Sequence, residues 1–303
     1  MDAEEYRRQY EREIAAAQRA ANPAASMATR ELVAAIKDTK RSPVERKALI
    51  AGANVRAVEA PSLMNALIRI VGDPHEDSTV RLAAMKVLQQ NSFNATGFRR
   101  YDADYREALR TAATDDDPHV RDAALEPLAH GGDEYAQRLL VQGLEEPKSA
   151  LVPAKRALQM LSSDVHAEQY PVLRDLVTTS KQQAVRRSAL RLLAADSDAA
   201  DLFASIAADK SEDPGARATS AVALQSLAPE QFHSVAHDVV LDDDDNKNVR
   251  ATFANAITHG DEAPHPDVDA KLRSLAAPKA PAGPLRAAAR QYVAAVPQRN
   301  TTT

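Results

Sequence analysis

Paired histidines, clustered carboxylates and closely set cations are the residues of this chain that could do chemistry. His233 and His237, in "QFHSVAHDVV", stand one helical turn apart, a spacing at which two imidazoles can share a zinc ion. The sequence displays no third ligand beside them, so the pair reads as the flank of a partly exposed helix. Asp115 to Asp117 and Asp242 to Asp245 gather the oxygens that calcium or magnesium would take. They lack the spaced loop of an EF-hand and read instead as helix caps that favour the helix dipole and pair with arginines of neighbouring segments. No metal and no cofactor are expected. No Gly-rich phosphate loop is present, and nothing suggests a Ser-His-Asp arrangement. The chain has no cysteine, which removes thiolate metal sites, cysteine nucleophiles and disulfides together.

Composition narrows the function classes. Of 303 residues, 44% are apolar and 27% charged, values ordinary for a folded chain with a substantial core. A net charge of −5 argues against sequence-independent binding to nucleic acid, which needs a basic footprint. The opening "MDAEEYRRQYERE" is charged where a signal peptide needs an apolar core, and no run of about 18 apolar residues occurs, so a cytoplasmic protein without a membrane span is expected.

The elements that must position these groups repeat along the chain. Aligning Val-Arg steps with the small and apolar residues that follow gives anchors at Glu45, Arg81, Arg121, Ala154, Arg186, Arg217, Arg250 and Arg286, separated by 31 to 40 residues. A period of this size means an array of one supersecondary unit. The longest gap contains "NSFNATGFRR", Asn91 to Arg100, whose turn formers read as an inserted loop. In "TDDDPHVRDAALEPLA" Asp117 can cap a helix, Pro118 fits its first turn, and Ala124, Leu125 and Leu128 fall on one face. Ala189, Leu190 and Leu193 repeat that face after Arg186, as do Phe253, Ala254 and Ile257 after Arg250. Each such helix follows another amphipathic segment, such as "EYAQRLLVQGL" or "YPVLRDLV", so each unit is a helical hairpin. The anchor arginines, Arg121 and Arg250 among them, are expected to bond aspartates or carbonyls between repeats.

The Asp-rich turn, Pro, Val-Arg and small residues resemble HEAT repeats, particularly the short variety of bacterial and phycobilin-lyase-like proteins. The resemblance covers residues 26–296 and is best in "DDDPHVRDAALEPLA" and "DDNKNVRATFANAI". It is poorest at "EEPKSALVPAKRALQML", with Ala154 at the anchor, and at "SPVERKALIAG", with Glu45 there. It implies an all-α fold, a right-handed superhelix of about eight hairpins, and says little of function. His75-Glu76 is similar to the His-Glu pairs that hold iron in deoxyhypusine hydroxylases, themselves HEAT-like arrays. This chain has one such pair, which reads as a solvated turn. DNA glycosylases on HEAT-like arrays use aromatic side chains in a basic groove, whereas tryptophan is absent here and aromatics total 4%.

Residues 1–22 carry a capping-box pattern and a Tyr6, Tyr10, Ile14 stripe, and are expected to form a helix that covers the first repeat or docks on a partner. Residues 297–303 are expected to be a disordered tail. In HEAT arrays the second helix of each pair lines the concave surface. The positions first, fifth and ninth after each anchor place Arg46, Lys86, Asp122, Glu126, Lys155, Gln159, Arg187, Arg191 and Asn255 on that side. Five cations against two acids give it +3 on an acidic chain, densest at Lys155, Arg187 and Arg191. A noncatalytic scaffold is expected, binding another protein, and in particular an acidic segment of one, through Lys86, Glu126, Lys155, Gln159, Arg187, Arg191 and Asn255. The alternatives are an enzyme or lyase-like binder of a small molecule in a concave pocket and, after that, a nucleic-acid binder. Oligomeric state is not legible.

Overall fold

The computed structural model describes residues 22–53, 59–260 and 262–299. Tyr6, Tyr10 and Ile14, with the rest of the expected capping helix but for Asn22, lie outside these residues. Among the described residues every element is helical and there is no strand. Two units divide the chain, residues 1–153 and 154–303.

The N-terminal unit consists of α1 (Thr29–Lys37), α2 (Pro43–Gly52), α3 (Pro61–Gly72), α4 (Ser78–Ser92), the short α5 (Ala95–Phe98), α6 (Asp102–Ala112), α7 (Pro118–His130) and α8 (Glu134–Glu145). Helices α1 with α2, α3 with α4, and α6 with α7 pair as hairpins, and each packs on its counterpart in the next pair: α2 on α4, α4 on α7, α1 on α3, α3 on α6. The stacking buries Ile36, Ile50, Leu67, Leu88 and Leu125 in one continuous apolar seam. Gly131 and Gly132 end α7. Gly132 takes φ 68°, which an L side chain adopts at a cost, and lets Asp133 N–H reach back to the Leu128 carbonyl at 2.9 Å. Asp133 then caps α8 by accepting from the Tyr135 and Ala136 N–H groups.

The C-terminal unit consists of α9 (Ala154–Leu161), α10 (Tyr170–Thr179), α11 (Gln183–Leu192), α12 (Ala200–Ala208), α13 (Pro214–Leu227), α14 (Pro229–Leu241), α15 (Lys247–His259), α16 (Pro266–Ala276) and α17 (Pro284–Arg299). Here α9, α11, α13, α15 and α17 stack in succession as inner helices, with α10, α12, α14 and α16 paired to them. Phe203, Phe232 and Phe253 are fully buried, and the last two rings stack at 5.5 Å. The helix α17 runs through Arg299, three residues into the expected tail. Among the described residues no helix is long and apolar enough to cross a membrane.

Two expectations are corrected. The stretch Asn91 to Arg100 is not an irregular loop: α4 extends through Ser92, and α5 follows, capped by Asn94. Phe98 and Tyr101 sink into the core, Phe98 edge-on to Tyr105 at 5.6 Å, and their burial overrides the local turn preference. The first anchor is Arg46, not Glu45. Every anchor arginine with a capped helix start stands four residues past the cap, as Arg81 does after Asp77 and Arg250 after Asn246; the residue four past Ser42 is Arg46. Glu45 completes a capping box with Ser42, and Val44, which imitated the valine of the motif, is 77% exposed. Arg46 is therefore buried and does not belong to the outward face.

Candidate functional site

The anchor arginines and the exposed cations that follow them have separate duties. A helix leaves its last carbonyls without intrahelical partners and its C-terminus electronegative. At the start of the next helix, the fourth residue points at that end. Thus Arg46 Nε donates to the Ile36 carbonyl at 2.6 Å, Arg81 Nε to Val71 at 3.1 Å, Arg186 Nε to Val177 at 2.7 Å and Arg217 Nε to Ala207 at 3.0 Å. The rest of each guanidinium turns to an acid in the following repeat: Arg46 to Glu76, Arg81 to Asp115, Arg186 to Glu212 and Arg217 to Asp245. The Arg217 pair is bidentate, at 2.6 and 2.7 Å, and both side chains are almost wholly buried. Burial works to raise the Asp245 pKa, but the bonds from Arg217 and the Asn246 N–H outweigh it and hold the carboxyl below its usual range. Asp115 is held low in the same way against burial, by Arg81 and the Asp117 N–H.

Arg121 and Arg250 fit the expected role with altered partners. Arg121 bonds the Leu151, Asp115 and Asp116 carbonyls, reaching forward to the repeat whose anchor is Ala154. Arg250 bonds the Val240 carbonyl and Asp243. The acidic turns are thereby engaged. Asp117 caps α7, Asp242 pairs with Lys210, and Asp243 is shared with Lys271 at 2.7 Å. His75 is exposed, and Glu76 spends both oxygens on Arg46, so the glutamate of this pair belongs to the ladder of arginines and acids.

Of the residues expected on the binding face, Lys86 on α4 and Glu126 on α7 belong to the N-terminal unit. Lys86 is exposed, and Glu126 is half-buried. The other five lie in the C-terminal unit. Lys155 and Gln159 on α9, and Arg187 and Arg191 on α11, are exposed one helical turn apart on two helices that pack side by side. On α13, next in the stack, the equivalent positions are Ala218 and Val222, and Val222 is 54% exposed. The Lys155, Arg187 and Arg191 side chains have no ion pair or hydrogen bond among the described residues. Arg187 lies along the start of α13, where a Cβ on Gly215 would meet its Nη1 at 3.6 Å. Asn255 departs from the expected face: it is half-buried, with a shielded carbonyl oxygen that accepts no hydrogen bond among the described residues.

The histidines show what sequence spacing missed. His233 and His237 share a side of α14, but the groups that packing brings beside His237 are His265 and Asp267, from the start of α16. One ligand atom from each of these three residues lies within 4.8 Å of the others. Nothing local in the sequence joins Asp267 to His237, since helix packing brings α16 against α14.

No family model matches the chain, and no curated protein does. Among solved structures it is similar to human deoxyhypusine hydroxylase in complex with glycerol, at 13% identity over 81% of this chain and 99% of that one, with a TM-score of 0.34.

Proposed function

We propose that this chain is a noncatalytic scaffold whose C-terminal unit binds an acidic segment of another protein along α9, α11 and α13. One observation carries the reading: among the described residues Lys155, Arg187 and Arg191 are exposed cations without a partner of their own, while the ladder arginines are committed to carbonyls and carboxylates. Gln159 adds a neutral hydrogen-bonding group, and Val222 an apolar contact beside the cations. Charge of this kind steers encounter and selects among partners. A cytoplasmic setting and kinship with short bacterial HEAT proteins are part of the same proposal, supported by the repeat wording and the lack of cysteine.

The test is capture from the native host with wild-type protein, with Arg187→Glu/Arg191→Glu, and with the charge-matched Lys37→Glu/Lys40→Glu, which alters exposed lysines of the N-terminal unit. A partner rich in Asp, Glu or phosphate that is retained by the wild type and the lysine variant, lost by the arginine variant, and weakened by salt is the expected result. Equal capture by all three removes this face from consideration.

A further inference from the structure

A second set of side chains, on α14 and the approach to α16, has the composition of a metal site. We propose that His237, His265 and Asp267 bind one divalent transition ion of the zinc class and so tie the start of α16 to α14. Two imidazoles and one carboxylate are a donor set suited to zinc and its neighbours, and a poor one for calcium or magnesium, which take oxygens. The three donors already lie within 4.8 Å of one another. Four-coordinate zinc, with bonds of about 2.0–2.2 Å, needs them about an ångström or more closer. The side chains have room to make that adjustment, being 37%, 56% and 68% exposed.

The surroundings support the assignment independently. His237 and His265 line an open depression of about 580 Å³, at whose wall stand His233 and Glu262. The two imidazole rings meet edge to face at 4.9 Å. His237 Nδ1 is 3.0 Å from Asp238 Oδ1. A proton held between those atoms leaves Nε2 with its lone pair outward, the arrangement by which carboxylates orient ligating histidines. His265 is the N-cap of α16, its Nδ1 accepting from the Asp267 N–H at 3.3 Å; ligation through Nδ1 would replace that bond, and the spacing of the two residues at the helix start keeps the two donors together. His233 has another contact, Glu262 Oε2 at 3.2 Å, and is not a ligand in this proposal. Water completes the coordination from the open side.

The experiment uses untagged full-length protein, stripped with chelator, dialysed and titrated with zinc chloride in a calorimeter, with magnesium chloride as the comparison. One saturable zinc site per chain and no magnesium binding are expected. His237→Ala and His265→Ser, the serine preserving a capping side chain, should each abolish that site. Asp238→Asn should weaken it by about tenfold, as loss of an orienting partner does. His233→Ala and His75→Ala should retain it. Circular dichroism melting of each variant without metal separates loss of ligand from loss of fold, and zinc should raise the melting temperature of the wild type but not of His237→Ala. Zinc binding unchanged in the folded His237→Ala/His265→Ser variant, or weak multisite uptake shared by all the variants, would overturn the proposal.

Discussion

Arg186 and Arg187 are adjacent in the chain and belong to different regions of the molecule. Arg186 lies in the ladder, half-buried, with Nε on the Val177 carbonyl and Nη2 on Glu212 at 2.7 Å. Its bond to Glu212, working against the cost of burial, raises its pKa. Arg187 lies on the outward ridge, exposed and without an ion pair among the described residues. One residue on a helix is a rotation of about 100°, enough to take the same side chain from the seam between repeats to solvent. The ladder holds the stack by satisfying helix ends and buried charge, whereas the ridge keeps its charge for something outside the chain. Residue type is therefore no guide to duty in this protein; helical phase is.

The ladder side of the comparison predicts the largest effect. Arg217→Ala removes the guanidinium from a buried bidentate pair and leaves Asp245 without its partner, so unfolding in denaturant should show a loss of about 3–5 kcal/mol. Arg191→Ala should stay within about 0.5 kcal/mol of the wild type. Equal losses in the two variants would erase the distinction.

Acid should sharpen it. The Asp245 and Asp115 pKa values are lowered in the folded protein, so their contribution is complete above the unfolded carboxylate value of about 3.9 and is lost as pH falls from there through the folded values. The stability gap between the wild type and Arg217→Ala should accordingly narrow as pH is taken below about 4, measured by melting across that range. A gap independent of pH would mean that the Asp245 charge is not what Arg217 stabilises.

On the ridge, Arg187→Glu/Arg191→Glu should slow association with the captured partner by about tenfold at low salt, with melting near that of the wild type. A fall in melting as large as that of Arg217→Ala would place these residues in the ladder instead. The smallest effect lies inside α13. Ser220 is fully buried, and its hydroxyl has no partner among the described residues. Ser220→Ala should gain about 1 kcal/mol by removing an unsatisfied polar atom, while Val222→Ser, two residues on and exposed, should leave stability unchanged.

Much of this was legible in the sequence where the cause is local. Asp117 and Pro118 start α7 as their types dictate, and Ala124, Leu125 and Leu128 are buried at the spacing that placed them together. The outward phase of Lys155, Gln159, Arg187 and Arg191 followed from the same count. The failures occurred where a local pattern had two readings or a distant contact decided. Val44-Glu45 has the order of valine and a charged residue, yet the cap at Ser42 sets the phase one residue later and buries Arg46. Turn formers around Asn94 gave no sign that Phe98 and Tyr101 would be drawn into the core.

By itself the sequence determined the all-helical character, the repeat, and for most inner helices the start and the apolar side, because all of these depend on residues within a turn or two of one another. Tertiary structure alone decided which acid each arginine meets 26 to 34 residues away, which carbonyl it caps, and that His265 and Asp267 stand beside His237. Those pairings depend on how one hairpin seats on the next. Seating is set by the shapes of buried side chains across the whole interface, a sum that no local spacing records.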